Sequence, residues 1–345
     1  MKTLENPTGP HLVGTIATEL TDAGRTTHAA SSELGRRVFI KLWYPARRSV
    51  NEHRRERLWE QLRQEPHIPA IMRLLLRPAM KVLTNSIVGA AYEAQAGTPR
   101  ILIYCHGLIS FASENTMLME HLASHGFVVM SLQHLEQLAE LRALQASQTK
   151  EAKEEQAKIE REIKSCPRDR RPALCRRYFR IASNANRIVS GRSADVRYAA
   201  SEIGNVLSVI PEIDISAARI VGAIGLSLGG AVVTESSKTP ASPIVRVVNV
   251  DGGNYGELQD EPVRTPYLML YSEENEGTND IALNAVGGVE VVKRVVPATK
   301  HLNFHDISVV YPVMKWMRAI GSADPALAIR RRNEMVHEFV CGADT

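Results

Sequence analysis

Along this chain, short runs of nearly continuous apolar residues alternate with longer stretches in which apolar side chains return every three or four positions. The runs are Val38 to Ala46, Pro99 to Cys105, Gly126 to Leu132, Arg219 to Ile224, Val245 to Val250, Pro266 to Tyr271 and Val289 to Val296. Unbroken apolar runs of this length suit strands covered on both faces, because an alternating pattern would leave one face wet. Between them, Met117 to Ser124, the segment after Gly229 and Asn184 to Ile203 carry helical spacing. Strand and helix taking turns predicts an α/β architecture with a mostly parallel sheet and helices on both faces.

One run stops abruptly on Gly225-Leu-Ser227-Leu-Gly229-Gly230. A serine hydroxyl is a weak nucleophile at neutral pH, so it has to protrude beside a base where a carbonyl can reach it. A sharp strand-to-helix turn exposes it, and glycines two residues to either side remove side chains that would collide with the neighbouring strand and helix. The spacing therefore predicts a nucleophile elbow at Ser227.

The run ending at Cys105 breaks at His106-Gly107-Leu108. Amides at such a strand end can face a carbonyl held by Ser227, which makes the backbone N–H groups of Leu108 and Leu228 the candidate oxyanion donors. His106, just ahead of that turn, reads as a buried hydrogen-bonding strut. The base is expected on a loop after a late strand, which points to His301, with His305 as the alternative. Eight of the other histidines lie in helical or terminal segments. For the acid, Asp251 follows one strand and Glu273 follows the next, and either satisfies the order serine, acid, histidine.

These segments resemble the α/β-hydrolase group typified by the lipoprotein-associated platelet-activating factor acetylhydrolases and their bacterial relatives. The resemblance runs through Gly9-Pro-His-Leu-Val-Gly14, Trp43-Tyr44-Pro45, His106-Gly-Leu, Gly225-Leu-Ser-Leu-Gly-Gly, Asp251, Thr265-Pro-Tyr-Leu-Met-Leu-Tyr-Ser272-Glu273 and His301-x-Asn303-Phe304. It covers most of the chain, and the Trp-Tyr-Pro and His-x-Asn-Phe runs are its more specific parts. It implies an α/β-hydrolase fold with a helical cap insertion, and it implies that Asp251 rather than Glu273 is the acid. The activity it implies is cleavage of a carboxylic ester through an acyl-enzyme, with a short acyl group on a lipid or other apolar alcohol. The same triad would serve amide or lactone hydrolysis or acyl transfer, and the scaffold alone could serve as a binding module. A full set of Ser227, Asp251 and His301 argues against the last.

Composition changes this picture little. The chain has 345 residues, 23% charged and 44% hydrophobic, as expected for one catalytic domain spanning 1–345 with helical insertions. A net charge of +4, with lysine and arginine interleaved with glutamate, gives no reason to expect nucleic acid as a partner. Of four cysteines, only Cys166 and Cys175 are near enough in sequence to invite pairing, no metal-ligand spacing is present, and no cofactor is implied. The first residues lack an apolar signal core, which predicts a cytoplasmic enzyme.

Two insertions are expected. The first, about 51–91, reads as a charged helix from Glu52 to Gln64 followed by an apolar segment, 68–83, that could meet a lipid surface or shape an acyl pocket. The second, about 134–180, reads as helix from Leu135 to Ile163, with Leu135, Leu138, Leu141 and Leu144 at regular spacing, stopped by Cys166-Pro167. Such an arm would serve as a cap or as a homodimer contact.

Overall fold

The computed structural model describes residues 2–25, 35–48, 54–63, 70–135, 141–142, 145–146 and 148–342. Among the described residues ten strands form one sheet in the order β10-β9-β8-β7-β5-β6-β2-β1-β4-β3. In chain order they are β1 (Leu12–Asp22), β2 (Arg36–Ala46), β3 (Arg55–Arg57), β4 (Leu83–Val88), β5 (Arg100–Cys105), β6 (Phe127–His134), β7 (Arg219–Leu226), β8 (Val247–Val250), β9 (Tyr267–Ser272) and β10 (Val291–Val296). From β6 through β10 all neighbouring pairs are parallel, whereas β2 joins β1 and β6 antiparallel. Each apolar run in the sequence becomes one of these strands. The sheet is the expected α/β-hydrolase arrangement.

Helices cover both faces. The described ones used below are α1 (Ala70–Leu76), α2 (Thr116–Ser124), α3 (Lys150–Ser165), α4 (Arg171–Ile181), α5 (Ser183–Ser201), α6 (Leu228–Lys238) and α7 (Pro325–Cys341). On one face, Val189 and Val196 of α5 and Val232 and Val233 of α6 join Ile103, Met130 and Tyr44 in a single core. On the other, Leu118 and Leu122 of α2 and Val336 of α7 meet Leu102, Tyr104 and Trp43. Successive strand residues thus feed opposite cores, as the two-residue period of a strand requires. Trp43 and Tyr44 show it directly, adjacent in sequence and buried on opposite sides.

The first insertion departs from the helical reading. Its described residues form β3, a 3₁₀ turn over Glu60–Arg63, the short α1, a second turn over Ala79–Lys81, and β4. The charge spacing from Glu52 to Gln64 looked helical, but tertiary partners override it. Glu56 forms a buried ion pair with Lys41, Arg55 donates to the Thr84 carbonyl at 2.6 Å, and Trp59, at φ 55°, turns the chain and donates its indole N–H to Ser113 at 2.8 Å. In the second insertion α3 ends at Cys166 as expected. Leu138 and Leu144 of the proposed leucine row lie outside the described residues. Cys166 and Cys175 are not bridged.

Candidate active site

Strand β7 delivers Ser227 to the edge of the sheet, and α6 starts one residue later. Ser227 sits at φ 57° and ψ −123°, a conformation that costs a non-glycine residue on the order of 1–3 kcal/mol unless its surroundings enforce it. Here they do. Its N–H donates to Val250 at 2.9 Å and its carbonyl accepts from Gly230 at 3.0 Å, which fixes both peptide planes of the turn. A side chain at Gly225 would put its Cβ 2.1 Å from the Gly229 carbonyl oxygen, and one at Gly229 would meet the Cys105 carbonyl at 2.0 Å. The two glycines of the motif are needed because strand, turn and helix pass at backbone contact.

Asp251 follows β8, also at positive φ (54°), with a fully buried carboxylate. It accepts from the Ser272 N–H at 2.7 Å, the Ser272 hydroxyl at 2.9 Å, the Asn275 amide at 2.8 Å and His301 Nδ1 at 2.7 Å. With every lone pair engaged, the carboxylate accepts the Nδ1 proton and leaves Nε2 of His301 as the basic nitrogen. Burial alone would lower the His301 pKa, but the hydrogen bond and charge of Asp251, with Glu114 and Glu274 adding, carry it above its ordinary value. The other candidates stand apart. His305 lies 3.5 Å from Glu114 and edge-on to Trp59 and Phe111, while Glu273 accepts from the Ala298 N–H at 2.5 Å and faces Arg168.

The loop after β5 is held from both sides. His106 Nδ1 donates to the Gly107 carbonyl at 2.7 Å, Arg192 reaches the same oxygen at 3.4 Å, and the Gly107 N–H donates to Glu114 at 3.1 Å. Because a trans peptide directs its N–H opposite its C=O, pinning that carbonyl also fixes the direction of the Leu108 N–H. Leu228 is the first residue of α6, so its N–H has no acceptor within the helix. Burial, with Arg192 and His134 adding, pushes His106 well below its ordinary pKa, and the ring stays neutral in its strut position. Further from the turn, the buried Arg332 of α7 donates to Asn115 at 2.9 Å and to the Phe304 carbonyl at 2.6 Å, joining the 106–115 loop to the loop that carries His301.

Leu108, Ser227, Leu228, Asp251 and His301 all line one cavity of roughly 580 Å³, walled by Ile163, Tyr178, Phe179, Ile188 and Tyr255. Most of that wall comes from α3, α4 and α5. Among the described residues none of 70–83 lines it, so the acyl-pocket reading of that segment is not met. Sequence reasoning missed Arg192, Glu114, Asn275 and Arg332, and it took Ser272 for a bare strand end. Their signal was weak, since buried polar side chains in helices and loops look like ordinary surface residues until the fold pairs them.

A family model for platelet-activating factor acetylhydrolase, isoform II, matches residues 1–342. Among solved structures, a ferulic acid esterase from Streptomyces cinnamoneus superposes with a TM-score of 0.69 at 18% identity, covering 98% of this chain and 92% of that one. A dienelactone hydrolase-like promiscuous phosphotriesterase from metagenomic libraries aligns at 12% identity and TM-score 0.45, over 96% of this chain and 99% of that one. The first likeness establishes the fold. No curated protein is similar in sequence. Among the described residues no helix is long and apolar enough to cross a membrane.

Proposed function

The chain belongs to the platelet-activating factor acetylhydrolase, isoform II, family and is a carboxylic ester hydrolase; on that footing we propose that it cleaves a short acyl group from a lipid or other apolar alcohol through an acyl-enzyme on Ser227. The Ser227 hydroxyl attacks the ester carbonyl while His301 Nε2 takes its proton, and Asp251 steadies the imidazolium. The Leu108 and Leu228 amides hold the oxyanion. Collapse of the tetrahedral intermediate breaks the carbon–oxygen bond to the alcohol, which leaves with the proton from His301. Water then repeats the sequence on the acyl-serine and frees the acid.

The observation that carries this reading is the 2.7 Å Asp251–His301 hydrogen bond opening onto the same cavity as Ser227. Reaction with a fluorophosphonate, mapped by peptide mass spectrometry, tests it. Label on Ser227, absent from Ser227→Ala together with turnover, is the expected result. Label that persists in Ser227→Ala overturns the assignment.

Contact with lipid is part of the same proposal. Ile71, Leu74 and Leu75 are 55–62% exposed on α1, beside Arg73 and Arg77, which is the composition of a face resting at a lipid headgroup boundary. Leu74→Ser with Leu75→Ser should weaken co-sedimentation with phosphatidylcholine vesicles and leave turnover of a water-soluble ester unchanged. Equal sedimentation by both proteins would remove lipid contact from the proposal. A homodimer through the second insertion has no support of this kind.

A further inference from the structure

At the sheet edge remote from the cavity, three histidines from two helices converge. His121 lies in the last turn of α2 and His125 caps it, four residues on; His337 comes from α7, which packs alongside. The strands end at the cavity, whereas α2 runs back from that end and stops beside Phe127, the first residue of β6. One ring nitrogen from each histidine lies within 4.8 Å of the others. His121 Nε2 is buried without a hydrogen-bond partner, in a residue only 6% exposed. An orphaned buried imidazole nitrogen calls for an explanation, since a buried polar atom normally finds a partner. Thr8 takes up part of the remaining capacity, its hydroxyl lying 3.1 Å from His125 Nε2 and 3.4 Å from His121 Nδ1. Outside this group of three, a fourth donor adjoins His337. Cys341, one helical turn beyond His337, brings its sulfur to 3.2 Å from His337 Nε2.

We propose that His121, His125, His337 and the thiolate of Cys341 form a binding site for a zinc(II) ion that ties α2 to α7. Three imidazoles and a thiolate are a donor set zinc takes in tetrahedral geometry, with Zn–N of about 2.0–2.1 Å and Zn–S of about 2.3 Å. Binding breaks the S–H bond of Cys341 and releases that proton to solvent, while the imidazoles bind through lone pairs they already hold. His125 and His337 are half-buried and can rotate to shorten the present separations. The opposing charges are Arg100, whose guanidinium stacks on Phe127 and acts on His337, and Arg332, which acts on His121. Single-sequence spacing could not reveal this site, because each helix supplies only one i, i+4 pair.

The test uses the full chain, stripped with a chelator, exposed to zinc chloride and desalted. Wild type should retain one zinc per chain by elemental mass spectrometry, and at a hundredfold excess over Kd its Tm should rise by about 4 °C. His337→Gln and, independently, His125→Gln should lose both effects. Both positions are half-exposed, so at least one variant should fold, as circular dichroism will report. Cobalt(II) substituted for zinc should give a sulfur-to-metal charge-transfer band that Cys341→Ser abolishes. Zinc retained equally by wild type and both histidine variants overturns the site, as does a wild type that retains none.

Discussion

Two aspartate–histidine pairs lie among the described residues, and their difference says why one of them suits the proposed base. Asp251 meets His301 at 2.7 Å, and Asp195 meets His134 at 2.8 Å. By distance they are equivalent. Asp195, however, also takes a bidentate contact from Arg36, at 2.5 and 2.8 Å, and one from Arg25 at 2.9 Å. Burial works against the charge of Asp195, but His134 and Arg36 hold its pKa well below the carboxylate range. Its charge is already balanced by guanidinium groups. Asp195 raises the His134 pKa through its hydrogen bond and charge, but not enough to offset what opposes it. Burial dominates it, Arg192 and Arg36 oppose a second positive charge, and its pKa falls to about 4 despite the hydrogen bond. Asp251 is held instead by neutral donors, Ser272 and Asn275, which satisfy its oxygens without neutralising it. Its full charge remains available to His301, whose pKa rises. An aspartate–histidine hydrogen bond becomes a base when the carboxylate's other partners are neutral.

The sharpest way to break this comparison is to neutralise each aspartate in turn. Asp251→Asn should lower kcat by roughly 10⁴-fold, because the amide stabilises the wrong tautomer of His301 and no imidazolium. Its Tm should change little. Asp195→Asn should do the reverse, costing about 3–5 kcal/mol of stability by leaving buried arginine charge unpaired, with turnover per folded molecule within about tenfold of wild type. Denaturant melts and turnover of one activated ester measure both. If Asp195→Asn is the crippled but stable variant, the two pairs have been assigned the wrong way round.

The pH dependence separates them next. His301 must be neutral to accept a proton, and its pKa is raised, so the acid limb of kcat/KM should fall at a pH above 6.5. His134 has a folded-state pKa lowered to about 4. Folding therefore excludes a proton that the unfolded chain binds, and its contribution to stability is complete above about pH 6.5 and lost as pH falls toward 4. Activity and stability should thus decline on opposite sides of pH 6.5. An activity limb that tracks the loss of structure would show unfolding rather than titration of His301. The smallest effect is expected of Glu273→Gln, within about tenfold on turnover, since its carboxylate caps the Ala298 amide and faces Arg168 rather than His301.

Much of the fold was legible because parallel strands buried on both faces write themselves as apolar runs, and all seven runs named from sequence became strands. The elbow was legible for a steric reason: a Cβ at Gly225 or Gly229 would lie 2.0–2.1 Å from a backbone carbonyl oxygen, so neither position admits another residue. Strand β3 was not legible. Its Glu56 pairs with the buried Lys41 and its Arg55 reaches the Thr84 carbonyl of β4, and the local pattern of charges favoured a helix until those partners were known. The candidate base and acid could be ordered by topology, but what distinguishes Asp251 from Asp195 is the identity of neighbours contributed by β9, by the loop after it and by Arg25 and Arg36. No local window contains that information.

Arg332, buried between the Asn115 side chain and the Phe304 carbonyl, has a consequence in time. It holds the loop bearing Leu108 to the loop bearing His301, yet it lies more than a hundred residues after Ser227 in the chain. On the ribosome, at some 5–20 residues per second, the serine and its elbow exist for several seconds before the residue that aligns their partners has been made. On the proposed function, then, the candidate nucleophile is made well before the residue that ties its loops together, and hydrolysis is expected only once α7 has been synthesised and docked.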